Sequence, residues 1–310
     1  MKELDIRADL ARVKHSIIHF INNYVEERGF DGTLIWFSGY IDSTIITKLT
    51  LEALGGESVK IMTRSEKYSD DHKDILANSI DYLKIDEENI ERCNIDEITK
   101  KFGSRTLVEG SVREIPLLYE PLSYSLLKTS VKNDIEGKTY GMVGKATSRR
   151  EELIHRILAH NKLRSRIQMT SAYLIAETEN RCLIGTKNKT ELLTGLFTKW
   201  GYGHCADLMP LGHLYRTQIL QLAKYLDIPE MITTVSKADL LPGIENKYEY
   251  FFDLSAYDVD RILVGLEAGK SKKEINKETG LERDKIEKVH KYFVSSRNTK
   301  AAPLLLTNYF

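Results

Sequence analysis

Apolar and polar positions alternate along the first third of the chain in two different periods. Three short runs are rich in β-branched or aromatic residues, which predicts buried strands; they lie at 33–37, 58–62 and 89–94. Three longer runs repeat apolar residues every third or fourth position, which predicts amphipathic helices; they lie at 4–28, 45–54 and 69–83. Strands separated by helices are typical of parallel β-α-β units. We therefore predict an α/β fold with a doubly wound parallel sheet.

The same alternation resumes after an interruption. Residues 103–150 show mixed periodicity and many Gly and Ser residues, and we interpret them as an irregular insertion or lid. A helix at 152–177 and a strand at 182–185 follow, and then a helix at 213–226. From residue 254 onward the pattern is helical and predicts no further strand. We expect one domain over residues 1–310 with a helical C-terminal extension.

Composition limits the class of protein. Of the 310 residues, 42% are hydrophobic and 29% are charged, which is typical of a globular chain. Lys+Arg and Asp+Glu are both 45, so no overall positive charge would attract nucleic acid. The sequence shows neither a long apolar run nor a signal-peptide core. Its three cysteines are widely spaced, which fits a reducing compartment. We expect a cytoplasmic protein that does not span a membrane.

The turn at 38–43, SGYIDS, is the strongest candidate for chemistry. It lies between a predicted strand and a predicted helix, where unpaired backbone N–H groups and the positive end of the helix attract phosphate. Ser38 and Ser43 add hydroxyl groups, and Asp42 could hold Mg²⁺ against the phosphates. The spacing differs from the commoner GxxxxGK[ST] loop. The alternative is an ordinary strand–helix turn capped by serine.

Six segments in the same order resemble the ammonia-dependent NAD⁺ synthetases, a family of N-type ATP pyrophosphatases. The turn at 38–43 is similar to their SGGxDS loop. The other segments are LRSRIQMT at 163–170, LIGTKNKTE at 183–191, FTKWGYG at 197–203, DLMPLGHLYRTQ at 207–218 and KADLLPG at 237–243. The likeness extends from about residue 13 to about residue 303 and leaves out the 103–150 insertion.

The resemblance implies an amide-forming ligase. ATP activates a carboxylate as an acyl adenylate with loss of pyrophosphate, and ammonia then displaces AMP; in this family the carboxylate belongs to deamido-NAD⁺. The implied cofactors are ATP and Mg²⁺, with Asp42 and Glu191 as metal ligands and Asp42, Glu191 and Arg216 as catalytic residues. The implied nucleotide-binding residues are Ser38, Gly39, Tyr40, Asp42, Ser43, Thr186, Lys189 and Arg216. On their own sequence context, Glu191 and Lys189 fit a solvated helix start equally well.

The resemblance also implies partners. No glutaminase-like region with its own cysteine nucleophile accompanies the synthetase-like segments, so we expect free ammonia or ammonia from a separate protein. The N-terminal helix and a long helix near 156–178 would suit the two-fold homodimer of the family.

The chain departs from the family pattern near the expected chemistry. Tyr40 replaces the second glycine of the loop, Tyr202 the acid of the GDG segment, and His213 the acid of the GDLY segment. A C-terminal His-Lys pair is replaced by RNTK at 297–300. These changes leave open a relative that amidates another carboxylate, and a nucleotide-binding relative without activity.

Two weaker signals predict other functions. His204, Cys205, Asp207 and His213 are metal-competent residues, but their spacing matches no standard zinc pattern. Residues 271–293 resemble a helix-turn-helix and are locally basic, which keeps a DNA-binding hypothesis open. The neutral overall charge makes nucleic-acid binding the less favoured hypothesis.

Overall fold

A parallel four-stranded sheet forms the centre of the protein. The computed structural model describes residues 2–64, 70–95, 97–99, 149–233 and 246–300. The strands in these residues are β1 (Gly32–Trp36), β2 (Val59–Arg64), β3 (Ile90–Cys93) and β4 (Arg181–Ile184). They pair in the order β3-β2-β1-β4, and all pairs are parallel. The predicted α/β class with a parallel sheet is confirmed, and each predicted strand is present within two residues of its expected bounds.

Eleven α-helices lie in the described residues. They are α1 (Leu10–Arg28), α2 (Ile41–Leu54), α3 (Asp70–Leu83), α4 (Arg149–Thr178), α5 (Lys189–Thr194), α6 (Arg216–Tyr225), α7 (Glu230–Thr233), α8 (Lys247–Phe252), α9 (Ala256–Glu267), α10 (Lys272–Thr279) and α11 (Arg283–Lys300). The helix predicted at 4–28 begins only at Leu10, after two short 3-10 turns. Of the predicted irregular insertion at 103–150, all but the last two residues lie outside the described part of the chain.

Helices cover both faces of the sheet, as the doubly wound class requires. Alternate residues of the strands point to opposite faces. On one face Ile35, Ile61 and Ile184 pack with α1, α2 and α6 in one apolar cluster. On the other face Leu34, Trp36 and Leu183 pack with α4. Because both faces are covered, all five residues of β1 are buried, which explains the continuous apolar run in the sequence.

The C-terminal helices form a second apolar cluster beside the sheet. Residues of α8, α9, α10 and α11 pack together there, with Tyr248, Val259, Ile275 and Val289 almost wholly buried. Helix α11 also packs against α5, which follows β4. The helix–turn–helix shape expected at 271–293 is present as α10 and α11, joined at Gly280. Its apolar side chains Ile275 and Ile286 are buried in this cluster.

Across the described ranges, no helix is both long enough and apolar enough to cross a bilayer.

Candidate active site

The order in which strands are added to the sheet reverses between β1 and β4. After β1 the chain continues to β2 on one side, whereas β4 pairs with β1 on the other side. Ligands of open parallel sheets bind in the crevice at such a switch point, outside the carboxyl ends of the strands. The turn at 38–43 leaves β1 there, and residues 185–188 leave β4 beside it. The fold therefore brings the two motif segments to one edge.

The turn at 38–43 is held by its own side chains. The Ser43 hydroxyl donates to the Tyr40 carbonyl at 2.9 Å and lies 3.1 Å from the Ser38 hydroxyl. The Thr44 hydroxyl donates to the same carbonyl at 3.0 Å. These bonds fix the path of the backbone at the start of α2, where the first N–H groups of a helix have no partner within the helix. The turn that the sequence predicts to bind phosphate is thus held in one conformation by its own side chains.

Only one residue of the turn needs to be glycine. Gly39 has φ +79°, and a Cβ atom built on it would lie 2.9 Å from the Cα atom of Leu76 in α3. Tyr40 has φ −82° and ψ 167°, an extended conformation that any residue adopts. The departure from the family's second glycine therefore causes no backbone strain at Tyr40.

Asp42 lies in the first turn of α2 and faces two other segments. Its Oδ2 accepts from Nη1 of Arg216 at 2.7 Å, and its Oδ1 accepts from Nδ2 of Asn188 at 2.9 Å. Arg216 is the first residue of α6 and is buried, whereas the Asp42 side chain stays 18% exposed. Burial alone would lower the pKa of Arg216, but the charges of Asp42, Tyr248, Glu191 and Asp260 together outweigh burial and raise it. Two predicted catalytic residues are thus joined in one ion pair.

Glu191 lies close to this pair but in different surroundings. It forms a capping box with Asn188: the Asn188 side chain accepts from the Glu191 N–H, and Glu191 Oε2 accepts from the Asn188 N–H. Glu191 Oε1 accepts from Nζ of Lys247 at 2.6 Å and lies 3.5 Å from Nζ of Lys187. Burial alone would raise the pKa of Glu191, but the two lysines outweigh burial and hold it well below its usual value.

A third carboxylate, Asp260 of α9, lies behind the first two. It accepts from the hydroxyl of Thr190 at 2.5 Å and from the N–H and hydroxyl of Thr217 at 2.7 and 2.6 Å. The Thr190 hydroxyl in turn accepts from the Arg216 N–H at 2.8 Å. Burial raises the pKa of Asp260 to about 6, although these hydrogen bonds oppose the shift. Asp260 thus joins the starts of α5 and α6, which carry Glu191 and Arg216.

The other two predicted nucleotide contacts take different positions. Thr186 is buried directly after β4, and its hydroxyl lies 3.1 Å from where a Cβ atom on Gly203 would be. Lys189 points toward the C-terminal helices, where its Nζ lies 2.8 Å from Glu267 and stacks over the Tyr215 ring. Lys189 is therefore committed to a neighbouring ion pair, and its nucleotide contact stays a prediction.

Tyr202 and His213, which replace family acids, and the nearby His204 have different surroundings. The Tyr202 ring lies 5.9 Å from the Trp36 ring, and Nζ of Lys187 lies 5.5 Å from its centroid. His213 is exposed. His204 stacks on Phe197 with the ring centroids 4.3 Å apart, and burial lowers its pKa to about 4, helped by nearby lysines.

Four residues of the site were missed by the sequence analysis: Lys187, Asn188, Lys247 and Asp260. Asn188 could have been found, because Asn followed three residues later by Glu is a capping-box pattern. Asp260 could also have been suspected, since it stands on the apolar face of a helix between Val259 and Ile262. Lys247 carries no such local signal, because its position depends on how α8 packs against α5.

The carboxylates differ in how well they suit Mg²⁺. Among the described residues each oxygen of Asp42 has one protein donor, so a lone pair remains on each, and the side chain reaches solvent. Asp42 therefore fits a magnesium ligand. Glu191 does not fit, because its oxygens are buried and held by two lysines and a backbone N–H. Within the described ranges no cluster of three or more His, Cys, Asp or Glu residues could hold a metal ion.

Known proteins resemble this chain in sequence and in fold. A family model described as NAD synthase matches residues 13–115 and 111–303. The NH(3)-dependent NAD(+) synthetase of Thermotoga maritima is 33% identical over 258 residues, which cover 82% of this chain and 87% of that protein. The NH(3)-dependent NAD(+) synthetase of Methanosarcina acetivorans is 28% identical over 304 residues, which cover 95% of this chain and 97% of that protein.

A solved structure shows the same fold. The NH3-dependent NAD synthetase from Campylobacter jejuni aligns with a TM-score of 0.66 at 19% identity, over 96% of this chain and 99% of that one. The likeness in fold, the matched family model and the sequence identity to the relatives all lead to one assignment. This chain belongs to the NAD synthase family.

Proposed function

We propose that this protein is an ATP-dependent ligase that makes NAD⁺ from deamido-NAD⁺ and ammonia. The carboxylate of deamido-NAD⁺ attacks the α-phosphorus of ATP and forms an acyl adenylate, and pyrophosphate leaves. Ammonia then attacks the acyl carbon, the bond to AMP breaks, and the attacking nitrogen loses a proton. The observation that carries the proposal is the Asp42–Arg216 pair at the switch point of the sheet, in a chain of this family.

The site supplies the charges that this reaction needs. The start of α2 presents backbone N–H groups to the departing pyrophosphate, and the bonds of Ser43 and Thr44 hold that backbone in place. Arg216 provides a fixed positive charge where negative charge builds up on the phosphates. Because Arg216 is buried, this charge is stronger than it would be in water. Thr186, at the end of β4, is our candidate for contact with the ribose or the phosphates.

Magnesium would bind on the Asp42 side of the site. There the ion would neutralise charge on the phosphate oxygens. The role of Asp42 is then to hold that ion, while Asn188 and Arg216 fix the direction of its carboxylate.

The proposal is tested by measuring products directly. The protein is incubated with ATP, Mg²⁺ and ammonium, with and without deamido-NAD⁺, and both pyrophosphate and NAD⁺ are measured. We expect both products only when deamido-NAD⁺ is present. Pyrophosphate release at the same rate with and without deamido-NAD⁺, or no release at all, would contradict the proposal.

A second substrate separates this function from amidation of another carboxylate. Nicotinic acid mononucleotide carries the same carboxylate but lacks the adenylyl half. We expect a much lower kcat/KM with the mononucleotide, because binding energy from the absent half would be lost. A preference for the mononucleotide would favour the alternative substrate. Glutamine in place of ammonium tests the nitrogen source, and we expect no amide from it.

We also propose that the protein is a cytoplasmic homodimer of single-domain chains. Two exposed apolar side chains support the dimer, because Phe20 of α1 is 48% exposed and Leu174 of α4 is 68% exposed. These are the two helices that the family resemblance assigns to the two-fold interface. Light scattering of the purified protein tests the dimer, and a monomer mass at micromolar concentration would contradict it.

A further inference from the structure

Glu191 is held inside the protein by two lysines and a backbone N–H group. Its Oε1 lies 2.6 Å from Nζ of Lys247 and 3.5 Å from Nζ of Lys187, and its Oε2 accepts the Asn188 N–H at 3.2 Å. The side chain is only 5% exposed. Magnesium needs oxygens at about 2.0–2.1 Å in near-octahedral geometry and usually keeps several waters. A buried oxygen covered by two ammonium groups does not offer that arrangement.

The cations around Glu191 already outnumber the carboxylates without a metal. Two carboxylates, Asp42 and Glu191, face three buried cations, Arg216, Lys187 and Lys247. In the described part of the chain the ammonium group of Lys247 bonds to Glu191 and lies over the Tyr248 ring. A divalent ion on Glu191 would take away that carboxylate and place a second cation against a buried ammonium group. Such a change is costly, because a buried charge without its partner is strongly unfavourable.

Asp42 offers the opposite conditions. Each of its oxygens has one donor, the side chain reaches solvent, and it faces one guanidinium group. A metal ion can bind there without displacing a buried cation. The two carboxylates therefore differ in their capacity for metal even though Asn188 touches both.

We propose that Lys187 and Lys247 supply at Glu191 the positive charge that a second magnesium ion would otherwise supply, so that only the Asp42 side takes a divalent ion. Glu191 is then a positioning residue: it caps the start of α5 and orients Asn188, whose side chain donates to Asp42. The inference rests on the proposed function only in expecting magnesium with ATP.

The first test counts metal ions without turnover. Mn²⁺ bound per chain is measured by electron paramagnetic resonance, with and without α,β-methylene-ATP, which cannot be cleaved between the α and β phosphorus atoms. We expect Glu191→Gln to leave the number of bound Mn²⁺ ions and their Kd unchanged, whereas Asp42→Asn loses the protein-held ion. Loss of a Mn²⁺ ion in Glu191→Gln would overturn the inference.

The second test removes the lysine and keeps the carboxylate. We expect Lys247→Met to gain one Mn²⁺ ion per chain, because Glu191 Oε1 loses its closest cation. The matched control is Lys270→Met, which removes an exposed lysine paired with Glu278 and should gain none. An unchanged number of bound Mn²⁺ ions in folded Lys247→Met would overturn the inference. If Glu191→Gln does not fold, the result for Lys247→Met is the deciding one. Neither count requires NAD⁺ synthesis, so failure of the proposed function is a separate result.

Discussion

Asp42 and Glu191 are both acids placed by the first turn of a helix after a parallel strand, yet their surroundings are opposite. Asp42 is partly exposed and bonds to Arg216 and Asn188. Glu191 is buried and held by Lys247, with Lys187 close by. Two carboxylates in the first turns of helices that follow parallel strands thus lie beside different sets of cations. We expect these neighbouring cations to decide which carboxylate can bind a metal ion.

Removing the charge of the exposed acid should have the largest effect. Asp42→Asn keeps the size and an acceptor for Arg216 but loses the metal ligand. We expect kcat/KM to fall by roughly 10²- to 10³-fold, since loss of one group that stabilises developing charge costs about this much. NAD⁺ formation is the measurement, and circular dichroism confirms that the variant is folded. Asp253→Asn, at the ion pair with Lys288, is the control. Equal losses of activity in the two variants would contradict a special role for Asp42.

Removing a cation from the buried acid should affect stability first. Lys247→Met leaves Glu191 buried with only the more distant lysine, and breaking a buried pair costs about 3 kcal/mol of unfolding free energy. Urea unfolding measures the change. Lys270→Met, at an exposed pair, should cost less than about 1 kcal/mol. Similar losses in the two variants would show that the burial of Glu191 has no energetic consequence.

Asp260 extends the comparison to an acid with no ion-pair partner among the described residues. Its pKa is about 6 in the folded protein against 3.8 ordinarily, so the folded chain holds this proton more tightly than the unfolded chain. Its contribution to stability is present below pH 4 and is lost as the pH rises toward 6, by up to about 3 kcal/mol. Urea unfolding of wild type and Asp260→Asn at pH 4.5 and pH 7 measures the difference.

In that experiment the variant should lose less stability than wild type when the pH is raised. Comparing the two proteins at each pH removes the contribution of the other acids. Identical changes in the two proteins would mean that Asp260 is ionised throughout this range.

The smallest effect is expected at the residue that joins the two acids. Asn188→Ala removes the helix cap of α5 and the bond to Asp42, which should cost about 1–2 kcal/mol of unfolding free energy. Activity should fall less than in Asp42→Asn, because the metal ligand itself remains. A larger loss of activity than in Asp42→Asn would make Asn188, rather than Asp42, the centre of the site.

The order of the elements was open to prediction because it depends on local periodicity. The strands at 33–37, 58–62 and 182–185 lie in a sheet buried on both faces, so most of their residues are apolar and the strands are easy to recognise. Helix starts were less accurate: the helix predicted at 213–226 begins at Arg216, where the Gln218 side chain accepts from the Tyr215 N–H. The phosphate turn was also predictable, since its position between strand and helix is a local property.

The partners of the site residues depended on contacts between segments distant in the chain. Lys247 is 56 positions from Glu191, and Arg216 is 174 from Asp42. No local pattern indicates such pairs, because they arise only when α5, α6, α8 and α9 pack beside the sheet. Although Asp260 was missed, the sequence was therefore sufficient to find the two carboxylates Asp42 and Glu191. Their division of roles was decided by the tertiary structure, since burial and neighbouring charge determine what a carboxylate can bind.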